Sequence, residues 1–360
     1  MMDFNDDFKT FLVFLSQFDY TYSKNNAIIE SMDGDFSLKH FLKKKFPENL
    51  LSQENFEKMK EKADILRIKN YYKNMQDQDI VLVTKFDVNY PAKLKDLPDS
   101  PTFLFCRGDL SLFNRVSLAV VGSRKPSAYG KYATEKIVKD VSAGGVAIVS
   151  GLAYGVDSIA HRKCLEVGGK TIAVLGSGLN AVYPQEHQGL ADEIARKGLM
   201  VSEYTPYKRA TKYSFPQRNR IIAGLSDGVL ITEASMKSGT LHTKEYALDY
   251  GRNVYAVPGN IDSPLSELTN DIIKTGQAQC VTKAEDILQD FEIDRKISEK
   301  SLQLSIEEQA IVDLLSDGMK EMDFLTKNSG LSINMFNSTL TTLEIRGIIN
   351  RLPGGIISLS

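Results

Sequence analysis

The chain has 360 residues and a formal net charge of −2 at pH 7, so it is long enough for two or three domains and is not a globally basic nucleic-acid coat. Its three cysteines, Cys106, Cys164 and Cys280, lie far apart with no CxxC pair, which indicates a reducing compartment and excludes a zinc site built on paired cysteines. The acidic start, and the lack of any apolar run near the roughly 18 residues that cross a bilayer, predict a cytoplasmic protein without a membrane span.

Residues 1–78 predict a small helical domain of the SAM-like type. Apolar residues recur there at helical spacing, as at Phe11, Leu12, Leu15 and Phe18, and turn signals are few. The segment has no glycine-rich hairpin of the kind that helical DNA-backbone binders use. We therefore interpret it as a packing or spacer module.

Residues 79–290 alternate short apolar runs with amphipathic segments of helical length. This alternation is typical of βαβ units, and it predicts an α/β domain with an extended Rossmann-like parallel sheet and helices on both faces. The predicted strands are Ile80–Thr84, Phe103–Phe105, Leu118–Val121, Val146–Val149, Thr171–Leu175, Leu199–Val201, Val229–Ile231 and Val254–Val257, with a weaker pattern at Ala278–Val281.

The features of an anion site lie between Lys208 and Glu245. Five cations fall within the thirteen residues from Lys208 to Arg220, which contain no acid. The apolar run Gly228–Thr232 predicts a strand covered on both faces, and Ser238-Gly239-Thr240 after it would expose backbone N–H groups at the start of a helix. Because the carboxyl ends of parallel strands meet at one crevice, we predict that a polyanion binds there.

Two glycine-containing loops of the predicted sheet match the known nucleotide-binding motifs poorly. Gly176 to Ala181 matches G-x-G-x-x-A, but it follows the third strand and runs into Tyr183-Pro184 instead of opening directly into a helix. Gly122 to Lys131 ends in Gly-Lys, but its spacing is too long for a P-loop, and Tyr132 stands where a Mg²⁺-binding Ser or Thr belongs. Dinucleotide binding and NTP hydrolysis are therefore disfavoured.

Catalytic constellations are missing from the sequence. It contains no H-E-x-x-H and no G-x-S-x-G motif, and its four histidines are isolated. We predict that the protein is not an enzyme and that it needs no cofactor or metal. His161 is interpreted as a hydrogen-bonded structural residue and not as a general base. Glu233 follows a strand at the crevice, and we expect its carboxylate to orient loop N–H groups or Arg218.

The carboxyl-terminal part of the chain predicts a linker and a winged helix. The charged residues 291–303 are typical of a linker. Three helical patterns follow within residues 304–360, namely Ser305–Leu315, Met322–Asn328 and Ser332–Arg346, and two apolar segments flank Pro353-Gly354-Gly355. The third helix has almost no basic excess, so we expect partner binding or weak DNA contact and not groove reading.

The motifs of residues 80–290 jointly resemble the DprA/Smf family. They are Val121-Gly122-Ser123-Arg124, Ser150 to Asp157 with Ala160-His161, Thr171 to Gly176 with Tyr183-Pro184, Phe215 to Gly224, Glu233, Ser238-Gly239, and Val257-Pro258-Gly259. The chain departs from the family pattern at Val156, at His242, and between Leu268 and Gln277. The winged helix agrees with the resemblance, because the family has a carboxyl-terminal domain of this type.

The resemblance implies a DNA-processing protein of natural transformation and competence. Such proteins bind incoming single-stranded DNA, protect it, and load RecA onto it for recombination. The implied partners are single-stranded DNA, RecA, a second copy of the chain in a homodimer, and single-strand-binding protein. The homodimer contact is expected around Leu268 to Leu288.

The resemblance also implies a set of DNA-binding residues. Arg124 and Lys212 are expected to contact the strand, and Phe215 stands at the position of a base-contacting aromatic. Arg218 and Arg220 are expected to border the same pocket. The full set is Gly122, Ser123, Arg124, Lys212, Phe215, Arg218, Asn219, Arg220, Ser238, Gly239 and Lys244. Two alternatives stay open, in which Phe215 packs in the core and Arg220 caps a helix.

Two other functions compete with DNA binding. Ser238-Gly239-Thr240 and Glu245 partly match the loop and nearby glutamate of lysine-decarboxylase-like nucleoside-monophosphate phosphoribohydrolases, which share the Rossmann fold, but the Pro-Gly-Gly of that loop is missing. A nucleotide-sensing module would share the crevice, but it would not need Phe215 beside Lys212. Comparing oligonucleotides with nucleoside monophosphates in a binding assay separates these possibilities.

Overall fold

The computed structural model describes residues 6–291, 304–315, 318–345, 348–352 and 354–359. The chain divides into two compact units, residues 1–294 and 295–360. Except for Phe291, the predicted linker at 291–303 lies outside the described residues, as do Arg346 and Pro353. No helix within the described ranges is both long enough and apolar enough to cross a membrane.

The first unit begins with helices that pack on aromatic side chains. Each helix follows a residue whose side-chain oxygen accepts a hydrogen bond from a backbone N–H of the first turn, which stabilises the helix start. Phe11, Phe14 and Phe41 are fully buried between them, and their core continues into the sheet domain at Phe105 and Ile194. These helices are α1 (Asp7–Leu15), α2 (Tyr22–Glu30), α3 (Leu38–Lys43), α4 (Gln53–Lys60) and α5 (Ile65–Gln76).

A nine-stranded sheet with the order β1-β2-β6-β5-β4-β3-β7-β8-β9 forms the centre of the first unit. The strands from β6 to β9 in this order are parallel, whereas β1 and β2 are antiparallel additions at one edge. The predicted Rossmann-like sheet is therefore confirmed. The strands are β1 (Val81–Thr84), β2 (Phe103–Gly108), β3 (Ser117–Val121), β4 (Ala147–Ser150), β5 (Thr171–Leu175), β6 (Leu199–Ser202), β7 (Gly228–Ile231), β8 (Asn253–Ala256) and β9 (Gln279–Cys280).

Helices cover both faces of this sheet, which explains why its strands are apolar without alternation. On β3, Leu118 and Val120 pack into the core of one face, with α7 and α8, whereas Ala119 and Val121 pack into the core of the other, with α10 and α11. The helices are α6 (Ala92–Lys95), α7 (Ala128–Ala143), α8 (Val156–Glu166), α9 (Gln188–Lys197), α10 (Ser214–Leu225), α11 (Thr240–Asp249), α12 (Glu267–Lys274) and α13 (Glu285–Leu288).

The strand order reverses between β3 and β7. From β3 the chain adds β4, β5 and β6 on one side and then returns to add β7 and β8 on the other. Val121 and Ile231, the last residues of β3 and β7, lie side by side in the sheet. The loops that follow them leave in opposite directions, and such a switch point is where open α/β sheets bind ligands.

The second unit has the three helices and the small antiparallel sheet that the sequence predicts for a winged helix. Phe336, Leu340 and Leu343 of the third helix pack against Ile349 and Ile357 of the sheet. The strands pair in the order β10-β12-β11. The elements are α14 (Ile306–Leu315), β10 (Lys320–Glu321), α15 (Met322–Asn328), α16 (Ile333–Ile345), β11 (Ile349–Leu352) and β12 (Ile356–Leu359).

Candidate nucleic-acid interface

A crevice of about 540 Å³ opens at the carboxyl ends of β3, β4 and β7. Its walls are the loops after these strands, one side of α10 and the start of α11. Of the predicted DNA-binding residues, the structure brings together Gly122, Arg124, Lys212, Phe215, Arg218, Asn219, Ser238 and Gly239 as residues that line it. Ser123 lies between two of them in the loop after β3.

Glu233 holds the loop after β3 in place. Its buried carboxylate accepts hydrogen bonds from Ser127 N at 2.8 Å and from Ser127 Oγ at 2.5 Å, and its backbone oxygen accepts one from Ser123 N at 2.6 Å. The Ser127 hydroxyl in turn accepts a hydrogen bond from Gly130 N and caps α7. The expectation that Glu233 orients loop N–H groups is therefore confirmed, and each of its carboxylate oxygens accepts a hydrogen bond from Ser127.

Phe215 forms part of the crevice wall. Its side chain is half-buried, and the guanidinium carbon of Arg124 lies 5.5 Å from its ring centre. The ring lies over Gly176, where an added Cβ would be 2.9 Å from Phe215 Cδ1. Arg124 and Lys212 are both exposed. The crevice thus presents an aromatic ring together with two solvent-exposed cations.

Arg218 lines the crevice, but its guanidinium makes hydrogen bonds within the protein. Its side chain is only 4% exposed, and Nη1 donates hydrogen bonds to Gly151 O at 2.6 Å and to Val174 O. Burial lowers the pKa of this guanidinium to about 10. Arg218 therefore links α10 to the carboxyl ends of β4 and β5, and its buried positive charge lies in the wall of the crevice.

Asp157 is a buried carboxylate in the same wall that sequence reasoning did not single out. It accepts a hydrogen bond from Gly151 N at 3.1 Å. Burial raises the pKa of Asp157, while the nearby charge of Arg218 acts in the opposite direction. The sequence did contain a signal for Asp157, because it ends the motif Ser150 to Asp157 that follows a predicted strand.

The loop after β7 closes the remaining side of the crevice. Ser238 Oγ accepts a hydrogen bond from Thr240 N at 3.2 Å at the start of α11. Asn219 of α10 donates from Nδ2 to Gly239 O at 3.4 Å and so links the helix to this loop. The helix start predicted beside the cations is therefore present, but Ser238 N and Thr240 N donate to Ser235 O and Ser238 Oγ and are not exposed as predicted.

Arg220 does not border the crevice, and that prediction was wrong. Its buried guanidinium pairs with Glu203, with Nη2–Oε distances of 2.5 and 2.6 Å, and lies over the ring of Tyr22 at 5.2 Å. The reason is helical geometry, because residues two apart on a helix point about 200° apart. The alternative of a helix cap is also wrong, since the pairing partners are side chains.

Lys244 is placed away from the crevice as well. It is 8% exposed, and its Nζ donates to Gln277 Oε1 at 2.8 Å. Glu245, the partial match to the phosphoribohydrolase glutamate, is exposed, with Oε2 3.4 Å from His242 Nδ1. Neither residue lines the crevice.

The histidine and metal predictions can also be compared with the described residues. His161 is fully buried, and its Nδ1 lies 2.6 Å from Thr171 Oγ1. Burial lowers the pKa of His161 to about 3, so the interpretation as a hydrogen-bonded structural residue is confirmed. Within the part of the chain that the structure describes, no three His, Cys, Asp or Glu side chains are grouped closely enough to hold a metal ion.

Comparisons with known proteins agree with the resemblance seen in the sequence. A family model described as DNA recombination-mediator protein A matches residues 81–292, and a model described as DprA winged helix domain matches residues 298–355. DNA processing protein DprA of Streptococcus pneumoniae is 45% identical over 203 residues, which are 56% of this chain and 71% of the relative.

Two solved structures share the fold. The X-ray structure of DprA from Streptococcus pneumoniae is similar with a TM-score of 0.61 and 33% identity, covering 79% of this chain and 97% of that one. A structure of DNA processing protein A from Helicobacter pylori, described for its single-stranded DNA binding mode, is similar with a TM-score of 0.54 and 32% identity, covering 59% of this chain and 95% of that one.

Proposed function

Because the chain belongs to the DNA recombination-mediator protein A family, that is, the DprA/Smf family, we propose that it binds single-stranded DNA in the crevice between β3 and β7 during DNA processing in natural transformation. The observation that carries the proposal is the grouping of Phe215 with the exposed cations Arg124 and Lys212 at the switch point of the sheet.

The composition of the crevice fits a nucleotide strand of any sequence. Cations follow the phosphates, and an aromatic face stacks on a base without reading its edges. Phosphate contact is favoured further by the positive end of the helix dipole at the start of α11. The protein as a whole has a net charge of −2, so its affinity for a polyanion must come from this local grouping.

The geometry favours single strands over duplex. Phe215 is half-buried in the wall of a crevice of about 540 Å³, so a base must leave its stack to lie against the ring. A flexible strand can turn out a base at low cost, whereas a duplex must break pairing and stacking first. Single-stranded DNA should therefore bind more tightly than a duplex of the same length.

The further steps of the proposal rest on family membership. The bound strand is protected and passed to RecA for homologous recombination, with the protein acting as a homodimer and meeting single-strand-binding protein on the same strand. The dimer contact stays proposed at Leu268 to Leu288. In the described structure the apolar side chains Leu268, Ile272, Ile287 and Leu288 are already buried in the protomer, so the contact would use the polar rim of this segment and the edge strand β9.

A phosphoribohydrolase activity is the competing function, and the position of Glu245 weakens it. A catalytic carboxylate must reach the bound nucleotide, but Glu245 does not line the crevice and Glu233 is held by Ser127. We expect the purified protein to release neither base from nucleoside monophosphates nor phosphate from ATP. Release above a no-protein control that disappears on Glu233→Gln would favour the enzyme.

A salt titration with matched variants tests the DNA site. Lys212→Ala and Arg124→Ala should weaken binding to every sequence alike and reduce the slope of log affinity against log salt by about 0.7 for each phosphate that is no longer neutralised. Lys139→Ala, an exposed lysine in the second half of α7, is the control and should change neither quantity. Equal affinity for single strand and duplex, or a salt slope that is the same in all three variants, would refute the site.

A further inference from the structure

Tyr183 presents an exposed aromatic ring beside the crevice that the proposed base contact at Phe215 does not use. It lies in the loop after β5, its side chain is 52% exposed, and its ring centre lies 5.6 Å from that of Phe215 at an interplanar angle of 48°. Burying such a ring would be favourable, yet the fold leaves about half of it in solvent. A residue of this kind on a structured loop is a candidate ligand contact.

The loop that carries Tyr183 is held firmly. Gly178 N donates to Lys208 O and Asn180 N donates to Pro206 O, both at 2.8 Å, which binds the loop to the basic segment before α10. On its other side His187 Nδ1 lies 2.8 Å from Leu152 O. The chain on both sides of Tyr183 is therefore anchored next to Phe215, which favours a preorganised contact.

We propose that Tyr183 is a second stacking platform, so that the base next to the one on Phe215 lies on the Tyr183 ring and the strand leaves the crevice over the loop after β5. This inference rests on the proposed binding of single-stranded DNA. Two neighbouring rings that meet at an angle offer two separate faces, and successive bases of a single strand can each take one.

The residues around Tyr183 determine in which direction the bound strand leaves the crevice and how many of its bases lie on aromatic rings. We call this path of the strand over the two rings the track. Beyond Tyr183, the hydroxyl of Tyr154 is bound to the exposed carboxylate of Glu186 at 2.8 Å, and a carboxylate there repels the next phosphate. On the opposite side of the crevice Tyr129 is also exposed, but its hydroxyl donates to Pro258 O at 2.8 Å and it has no described ring contact with Phe215. The structure therefore favours a track of two bases toward the β5 loop.

A length series of thymidine oligonucleotides with the full chain tests this track. Phe215→Ala should weaken binding at every length. Tyr183→Ala should leave a mononucleotide unaffected and weaken binding of all longer strands by about 5- to 150-fold, the range that ~1–3 kcal/mol per stacked base gives, without changing the salt slope. Tyr183→Phe should bind like the wild type. Tyr132→Ala, a tyrosine of similar exposure on α7, is the matched control.

A direct contact is separated from an indirect one by photo-crosslinking. An oligonucleotide with one 5-iodouracil should crosslink to the peptide that contains Tyr183 and, in molecules bound in the neighbouring register, to the peptide that contains Phe215. If Tyr183→Ala or Tyr183→Leu binds strands of every length with wild-type affinity, the second platform is refuted. The proposed binding site is still supported in that case if Phe215→Ala binds more weakly than the wild type. If Tyr129→Ala is weakened and Tyr183→Ala is not, the strand leaves in the other direction and the inference fails. If Phe215→Ala also binds like the wild type, the proposed site itself is wrong.

Discussion

Replacing Arg218 by methionine tests whether this cation serves the fold or the ligand. The guanidinium is almost fully buried and donates to two backbone oxygens, Gly151 O and Val174 O. Each charge-assisted hydrogen bond of this kind contributes ~1.5–3 kcal/mol, and methionine keeps most of the packing of the aliphatic stem. We therefore expect Arg218→Met to lower the free energy of unfolding by about 3–6 kcal/mol.

The same substitution should make stability depend more strongly on pH. Burial raises the folded-state pKa of Asp157, and the charge of Arg218 limits that rise. A group with a raised folded-state pKa contributes stability below its unfolded value, about 4 for aspartate, and this contribution is lost as pH rises through the folded-state value. The loss of unfolding free energy caused by Arg218→Met should therefore be larger at pH 7 than at pH 4. Combining this substitution with Asp157→Asn should remove the difference between the two pH values.

Thermal and denaturant unfolding of the variants, with DNA binding measured on the folded fraction, completes this test. A loss of about 3–6 kcal/mol lowers the Tm of a domain of this size by roughly 6–24 °C, whereas Arg124→Ala, an exposed position, should stay within about 0.5 kcal/mol of the wild type. If Arg218→Met unfolds like the wild type but binds DNA with a salt slope reduced by about 0.7, Arg218 is a direct phosphate contact and the structural argument is refuted.

Three further perturbations follow from contacts in and behind the crevice. Gly176→Ala should displace the Phe215 ring, because the new Cβ would lie 2.9 Å from it, and should weaken single-strand binding by ~1–3 kcal/mol; an unchanged affinity in an equilibrium titration would contradict this. Glu233→Gln should cost ~1–3 kcal/mol of stability and speed hydrogen exchange at Ser127 N, whereas unaltered exchange would show that the carboxylate does not hold the loop. The depressed pKa of His161, about 3, means that its stability contribution is present above the unfolded value of about 6.5 and falls as pH drops toward 3, by ~1.4 kcal/mol per pH unit. Unfolding measured between pH 7 and pH 4 should show this loss, reduced in His161→Asn, and a proton resonance of His161 that titrates near pH 6.5 would refute it.

Much of the fold could be predicted from the local pattern of the chain. The central strands of the sheet are covered on both faces, so each is a largely apolar run, as at Thr171–Leu175, where the predicted and observed bounds are identical. The helix starts carry capping residues such as Ser127, which are likewise a local signal. Convergence of the loops followed from the topology, because parallel strands place their carboxyl ends at one edge.

The chemistry of individual side chains could not be predicted in the same way. The sequence placed Arg218 and Arg220 in one basic cluster, but helix α10 turns them to opposite sides, and each is neutralised or bound by groups distant in the chain: backbone oxygens after β4 and in β5 for Arg218, and Glu203 for Arg220. Lys244 is held by Gln277 in the same way. The importance of Gly176 was invisible as well, because only the packed structure shows that Phe215 lies over it.

The kind of sheet, the edge at which its loops meet and the presence of an aromatic residue among cations follow from the order of residues alone, because hydrophobic period, turn residues and charge clustering are properties of neighbouring residues. The tertiary structure alone decided which of those cations remain free for a ligand. That choice depends on which hydrogen-bond acceptors and carboxylates the fold brings to each guanidinium or ammonium group, and in this protein it leaves Arg124 and Lys212 exposed at the crevice while Arg218, Arg220 and Lys244 are held in the interior.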